Sequence, residues 1–350
     1  EIDKRAFGYG SALASSLASK TRADDPDEAR TTQLIQNTCA FALSAYSDRA
    51  TNDDTLAVIK KGRAVHDFRH ISMLAMEAID LVARMKRWDC VVSSQHYASL
   101  EKICCLTTHP SIIYDDHVNV AGEIVPLLLQ CEEQLLGAKD TNIERDTGFY
   151  YLMSSWAALS GVVKQISDPD GSLCSPAVRA EKLLMVKFER NLLCDPDQRF
   201  DLTYAYNTVL SAWAKARAGK FGAKKALDLF EEMQSNRVYA TPDEVSYGLV
   251  LRCLRYAKSP IMAEKAESII ADMHKGCESG AKDSVRPTPR HYGAAIAAIA
   301  KSNHRDAASL SKSLLKRLLV SYYESKHEDN LPDNYMFCEV IYAIGKDIIV

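Results

Sequence analysis

The sequence predicts an all-α protein built from stacked antiparallel helix pairs. Apolar side chains recur with the helical period, and breaks rich in Pro and Asp separate helix-length runs. No segment shows sustained period-two alternation between tight turns, so we expect no strands. With 47% hydrophobic and 25% charged residues, the 350-residue chain has enough apolar side chain to bury a sizeable core.

One apolar pattern identifies the second helix of each pair. In ALDLFEEM a small residue, Ala226, is followed by Leu229, Phe230 and Met233, which places all four on one face. The small residue lets a neighbouring helix approach closely, as stacked pairs require. The pattern recurs, once in shortened form, at residues 78–85, 121–128, 180–187, 226–233, 266–273 and 311–318. Pro126 lies within one of these helices, where it should cause a kink or mark an early turn.

A first helix precedes each of these runs, and most first helices begin with an aromatic residue. The predicted first helices are residues 39–46, 97–104, 149–156, 206–213, 247–254, 292–299 and 337–344. Successive starts from Tyr206 to Phe337 are 41, 45 and 45 residues apart, whereas earlier starts are 52 to 58 apart. The repeat is therefore more regular late in the chain.

Short breaks should end one pair and cap the next. They are CDPD (194–197), ATPD (240–243), VRPTP (285–289) and LPDN (331–334). Pro lacks an N–H group and Asp accepts hydrogen bonds from free helical N–H groups, so both residue types favour helix boundaries.

The organisation that follows has three parts. Residues 1–29 form an N-terminal segment, 30–200 degenerate helical pairs, and 201–350 more regular repeats that continue the same array. The net charge is −3, but residues 1–200 carry 22 Lys and Arg against 28 Asp and Glu, and residues 201–350 carry 21 against 18. A polyanion would therefore favour the C-terminal part.

Several classes of protein are disfavoured. Charges interrupt every hydrophobic run before the roughly 18 to 20 residues that a spanning helix needs, so we expect no membrane association. The ten cysteines include no C-x-x-C pair and lie mostly in apolar helical runs, which is typical of reduced, buried cysteines.

No catalytic motif is present, so we expect neither enzymatic activity nor a cofactor. A phosphate-binding loop, an H-E-x-x-H metal site and a Ser or Cys nucleophile with a nearby His are all missing. His66 and His70 have the i, i+4 spacing of a two-histidine metal site, but they lack a third ligand and are more typical of a solvated linker.

The stretch YNTVLSAWAKA, followed by AKKALDLFEEMQSNRVYATPD, resembles the pentatricopeptide repeat family. The resemblance covers 203–350 as three and a half units and extends over 30–200 only as degenerate pairs. It implies a right-handed superhelical solenoid, located in mitochondria or plastids. Such a solenoid binds single-stranded RNA in a groove lined by the first helices, with one base per repeat.

The resemblance also implies which residues read the bases: the residue after the leading aromatic, and the last residue of the unit. The implied pairs are Asn207 with Asp243, Gly248 with Thr288, and Gly293 with Asp333. The first pair would favour uracil, whereas glycine has no side chain for hydrogen bonding. Asn207 and Asp243 also fit an alternative role as capping and turn residues.

A ladder of lysines accompanies these pairs. Lys215, Lys301 and Lys346 each follow their leading aromatic by nine residues, and Tyr256 takes this place in the remaining unit, with Lys258 two residues later. The resemblance implies that these lysines contact phosphate, which would give affinity without reading sequence. Alternatively, Lys near a helix C-terminus interacts favourably with the helix dipole.

Two functions therefore remain open. The first is an RNA-binding repeat protein that acts in RNA processing, stability or translation, mainly through backbone contacts. The second is a helical-repeat scaffold that binds other proteins and no longer binds RNA.

Overall fold

The computed structural model shows a mostly helical protein. It describes residues 64–87, 92, 94–114, 118–136, 148–167, 172–193, 200–280, 284–325 and 331–349. The chain divides into an N-terminal unit, Glu1–Gln198, and a C-terminal unit, Arg199–Val350. The predicted all-α class is confirmed, whereas the first helix at 39–46 and the break at 194–197 lie outside the described residues.

Six α-helices are described in the N-terminal unit. They are α1 (Ala64–Arg87), α2 (Ser94–Leu106), α3 (Pro110–Ile113), α4 (Val125–Leu136), α5 (Gly148–Leu159) and α6 (Pro176–Leu193). Helix α1 packs against α2 and α4, α2 packs against α5, and α5 packs against α6. Positions 66 and 70 belong to α1 and not to a linker, although the side chains of His66 and His70 lie outside the described residues.

A buried ion pair connects three helices of this unit. Arg179 of α6 donates to Glu132 Oε1 of α4 at 2.7 Å, and the indole of Trp156 in α5 donates to Glu132 Oε2 at 2.9 Å. All three side chains are buried, and the guanidinium of Arg179 lies 5.5 Å from the Trp156 ring centroid. The pair is thus shielded from solvent and fixes the relative positions of α4, α5 and α6.

Two features of this unit differ from the sequence-based expectation. A short antiparallel hairpin pairs β1 (Ile166–Ser167) with β2 (Leu173–Cys174), although no strand was expected. The sequence between the strands, Asp-Pro-Asp-Gly-Ser, contains a strong turn signal, but each strand is only two residues long and therefore shows no alternation.

The second difference is a π-helical turn, Val120–Ile124, which leads directly into α4 and places Pro126 at the second position of that helix. The early-turn expectation for Pro126 is therefore confirmed. Ala121, the small residue of the predicted pattern, is exposed. A π-helix has more residues per turn than an α-helix, so the i, i+3 spacing no longer returns to the same face.

Seven α-helices are described in the C-terminal unit. They are α7 (Thr203–Ala216), α8 (Gly219–Ser235), α9 (Glu244–Leu254), α10 (Pro260–Glu278), α11 (Pro289–Lys301), α12 (Ala307–Ser325) and α13 (Asn334–Ile349). The first helices, α7, α9, α11 and α13, pack against one another in chain order. The second helices, α8, α10 and α12, each pack against the first helices before and after them in the chain.

The apolar pattern of the second helices forms the core of this unit. Ala226, Leu229, Phe230 and Met233 of α8 are all buried, as are the corresponding residues of α10 and α12. The buried face is therefore the face that the spacing predicted. Among the leading aromatics, Tyr206 and Tyr292 are 1% exposed, which places them within the same core.

The three predicted breaks that the structure describes, at 240–243, 285–289 and 331–334, cap the first helices. Asp243 is the N-cap of α9 and forms a reciprocal capping box with Ser246, and Thr288 caps α11, with Pro289 at its first position. Asp333 Oδ1 accepts from the backbone N–H of Met336 at 2.9 Å at the start of α13. The capping role predicted for these breaks is confirmed.

Candidate nucleic-acid interface

The four first helices run parallel to one another. At their N-terminal ends the hydroxyl of Ser246 in α9 donates to Asn207 Oδ1 of α7 at 2.7 Å. At their C-terminal ends Lys346 of α13 donates to the carbonyl oxygen of Ser302, the C-cap of α11, at 2.5 Å. The predicted base-reading residues therefore lie at one end of this layer and the predicted lysine ladder at the other.

The first predicted reading pair is bonded internally. The Asn207 amide donates to Asp243 Oδ1 at 3.0 Å, and the same oxygen accepts from the Ser246 backbone N–H at 2.8 Å. Asn207 is only 9% exposed. Asp243 thus acts as the N-cap of α9, and Asn207 joins this cap to the preceding first helix.

The two glycines at the equivalent position face larger neighbours. A Cβ added at Gly248 would lie 3.8 Å from the imidazole of His291, and one added at Gly293 would lie 3.2 Å from Met336 Cε. Ser246, His291 and Met336 occupy the same position, the third residue of the following first helix. The short side chain of Ser246 faces Asn207, whereas bulky side chains face the two glycines. Where the side chain on one first helix is large, the side chain that faces it from the next first helix is therefore small, and the reverse.

The remaining predicted readers are also caps. Thr288 and His291 form the capping box of α11, and His291 Nε2 lies 2.8 Å from the carbonyl oxygen of Glu244. Asp333 caps α13, as described above. Asp243 and Asp333 therefore accept from N–H groups at the start of a helix, whereas the Thr288 hydroxyl lies 2.9 Å from His291 Nδ1. Asp333 is exposed and Thr288 is half-buried.

The C-terminal ends of the first helices form a basic edge, which we define as Lys215, Arg252, Lys301 and Lys346. Each of these residues lies in the last turns of its helix. Lys215 and Arg252 are exposed. Partial desolvation of its ammonium group and, second, the positive charge of Arg252 lower the pKa of Lys215. The two cations thus lie close enough to repel each other.

Lys301 is neutralised within the protein. Its ammonium lies 2.9 Å from Glu339 Oε1 of α13, and Arg255 reaches the same oxygen at 3.7 Å. Glu339 is 6% exposed. Burial and, second, a hydrogen bond to Glu339 raise the pKa of Tyr335, so its hydroxyl stays protonated and contributes to the same cluster.

Lys346 interacts with the end of the neighbouring helix. Besides its bond to Ser302, it lies 3.5 Å from the carbonyl oxygen of Ala300 and 5.9 Å from the ring centroid of Tyr342. Cations bind free carbonyl groups at helix C-termini favourably. Lys346 therefore interacts favourably with a helix dipole, which was the alternative to phosphate binding, but the helix is the adjacent α11 and not its own.

Tyr256 replaces a ladder lysine but is itself flanked by cations. The guanidinium groups of Arg217 and Arg255 lie 5.4 and 5.8 Å from its ring centroid. Lys258 is exposed and adopts a left-handed backbone conformation, with a φ of 49°, in the turn before α10. Arg217 and Arg252 were missed from sequence because they lie outside the nine-residue spacing, although both are basic residues near a helix C-terminus.

Other kinds of site are not apparent in the described part of the chain. Within these ranges, no group of three or more His, Cys, Asp or Glu side chains is arranged to bind a metal. None of the helices described combines the length and the apolar character needed to cross a bilayer.

Comparisons with known proteins identified no relative. No protein-family model, no curated protein and no solved structure matches the chain.

Proposed function

We propose that the C-terminal unit is a pentatricopeptide-type, right-handed solenoid that binds single-stranded RNA, mainly through its phosphates, along the basic edge. In this proposal the protein acts on the processing, stability or translation of a transcript in a mitochondrion or plastid. The motif resemblance over 203–350 supports the family and the compartment. The parallel first helices, with a cation at each C-terminal end, support the mode of binding.

The observation that carries this proposal is the exposure of two cations, Lys215 and Arg252, at the same end of two first helices that pack together. Both are exposed on adjacent first helices, and the charge of Arg252 helps to lower the pKa of Lys215. A phosphate between them would relieve the repulsion and release counterions. Lys301 and Lys346 already have partners within the protein, so we expect Lys215 and Arg252 to dominate the phosphate contacts.

The direct test is fluorescence anisotropy with a labelled single-stranded RNA at several salt concentrations. In the Lys215→Glu/Arg252→Glu variant we expect the affinity to fall at least tenfold. The slope of log affinity against log salt should become shallower by about 1.4, since each neutralised phosphate accounts for about 0.7.

A matched control reverses two lysines on the second helices. Lys224 of α8 and Lys265 of α10 are exposed, and Lys224→Glu/Lys265→Glu changes the net charge by the same amount. The proposal requires this control to retain most of the wild-type affinity. If both variants lose affinity equally, only net charge matters and the basic edge is not the site.

A second candidate function is a protein-interaction scaffold. Two observations favour it: Glu339 neutralises Lys301 and approaches Arg255, and both glycines at reading positions face bulky side chains. Affinity purification from an organelle lysate, with and without ribonuclease, separates the two functions. Partners that persist after digestion support the scaffold, whereas partners lost on digestion support RNA binding.

A further inference from the structure

A cleft of about 760 Å³ opens between the second helices α10 and α12, and the start of α11 forms its floor. His274 and Glu278 line it from α10, Lys316 and Arg317 line it from α12, and Arg286 lines it from the segment before α11. This cleft lies on helices that the basic edge does not use. Its volume is within the range of small-molecule sites, roughly 300 to 1,000 Å³.

Three cations face this space from two walls. Among the described residues, Arg286, Lys316 and Arg317 form no ion pair with any acidic side chain, and Glu278 is the single acid of the lining. Lys316 and Arg286 are exposed and Arg317 is half-buried, so their charged groups are open to a ligand. Unpaired cations converging on one cleft attract anions.

The floor of the cleft is uncharged near neutral pH. The hydroxyl of Tyr292 lies 2.6 Å from His274 Nε2. Burial raises the pKa of Tyr292, so this residue stays protonated. Burial and, to a smaller extent, the charges of Arg317 and Arg286 lower the pKa of His274, so its ring stays neutral. The positive field of the walls is therefore opposed by Glu278 alone among the lining residues.

We propose that this cleft binds a small molecule that carries two or more adjacent phosphate groups, such as pyrophosphate or a nucleoside triphosphate. Arginine forms bidentate hydrogen bonds to phosphate oxygens, and cations on two walls suit a ligand with more than one anionic group. The hydroxyls of Ser313 and Ser321 line the same space and supply further donors. This site is independent of the proposed RNA-binding edge.

The cleft contains its own reporter, because Cys277 is exposed and lines it. Calorimetric titration with pyrophosphate should show saturable binding. Pyrophosphate should also slow the alkylation of Cys277, measured by peptide mass spectrometry, but not that of Cys338, which is exposed outside this cleft. A parallel titration with ATP distinguishes the sources: tighter binding than pyrophosphate indicates a nucleotide, and equal binding indicates the phosphates alone.

Variants locate the binding. We expect Arg286→Gln/Arg317→Gln to lower pyrophosphate affinity about tenfold or more, since both bidentate partners are removed. Lys312→Gln, an exposed change on α12 outside the cleft, should leave affinity unchanged. Circular dichroism and an unchanged urea-unfolding midpoint would show that the double variant folds, and Arg286→Lys/Arg317→Lys should recover part of the binding.

Two results would overturn the proposal. One is the absence of saturable pyrophosphate binding by the wild-type chain at millimolar concentration. The other is an equal loss of affinity in Lys312→Gln and in the double arginine variant. Lys215→Glu/Arg252→Glu should keep wild-type pyrophosphate affinity, so a failure of the RNA proposal and a failure of this one give different results.

Discussion

The Asn207 side-chain amide lies 3.0 Å from Asp243 Oδ1, and this hydrogen bond joins the first turns of α7 to the N-cap of α9. The sequence allowed either a base-reading role or a capping role for these two residues. The bond shows that Asp243 caps while holding Asn207 in place. The side-chain amide nitrogen of Asn207 carries two N–H groups, and Asp243 accepts a hydrogen bond from one of them.

The glycines facing bulky partners give the first prediction. Gly248→Ala should raise the free energy of unfolding by about 1 kcal/mol, since alanine favours a helix interior and the added Cβ meets His291 at an ordinary 3.8 Å. Gly293→Ala should stabilise less, because Met336 Cε at 3.2 Å must move. Urea unfolding measures both changes.

Gly345 is the matched control, since nothing lies within 4 Å of an added Cβ and it belongs to α13. Gly345→Ala should therefore report the helix propensity alone. If Gly293→Ala stabilised the protein as much as Gly345→Ala, the contact with Met336 would be irrelevant to packing.

The buried ion pair of the N-terminal unit gives the second prediction. Glu132→Gln removes the carboxylate charge that pairs with the buried guanidinium of Arg179 and should destabilise this unit by about 3 to 5 kcal/mol. Asp80→Asn removes a partly exposed partner of Arg84 and should cost less than about 1 kcal/mol. Thermal unfolding followed by circular dichroism compares the two variants. Similar losses of stability would show that burial does not make the ion pair of Glu132 and Arg179 more important than an exposed one.

The buried thiol of Cys253 gives a pH dependence. Burial raises its pKa to about 12 from an ordinary value of 9.0. Above pH 9 the unfolded chain loses this proton first, so the thiol's contribution to stability is complete below pH 9 and declines as pH rises towards 12.

Cys253→Ala should remove this contribution. Wild-type stability should fall more steeply than that of the variant above pH 9, by up to about 1.4 kcal/mol per pH unit. Urea unfolding at a series of pH values measures the two slopes. Parallel slopes would mean that Cys253 ionises equally in the folded and unfolded chains.

Glu339 gives the fourth prediction, which depends on the proposed RNA binding. Glu339→Gln removes the carboxylate that Lys301 and Arg255 approach, so both cations become available to phosphate. RNA affinity should increase, and the salt slope should steepen by about 0.7 for each additional phosphate that is neutralised. Anisotropy measures both; weaker binding by a variant with an unchanged circular dichroism spectrum would contradict the prediction.

The helical framework was predictable because its signals are local. The apolar spacing of Ala226, Leu229, Phe230 and Met233 identifies a buried face within a single helix, and Asp243 identifies a helix start within a few residues. The hairpin of β1 and β2 was missed because two-residue strands are too short to show a period.

The candidate site was only partly predictable because its pairings are distant in sequence. The nine-residue spacing placed Lys301 near a helix end correctly, but it gave no indication that Glu339, on the next first helix, would neutralise it. Similarly, the glycine at 248 suggested an empty position, whereas His291 occupies the space beside it. Sequence spacing locates a residue on its own helix but does not identify what the neighbouring helix contributes.

Facing side chains on neighbouring first helices are matched in size, a large one against a small one, and this matching fixes the order of the units. If α11 were grafted directly after α7, the imidazole of His291 would meet the side chain of Asn207 in the space that Ser246 now fills. Placing α9 after α11 would instead leave a void between Ser246 and Gly293. The units of this chain are therefore not interchangeable modules, and deleting or duplicating one would require redesign of both junctions.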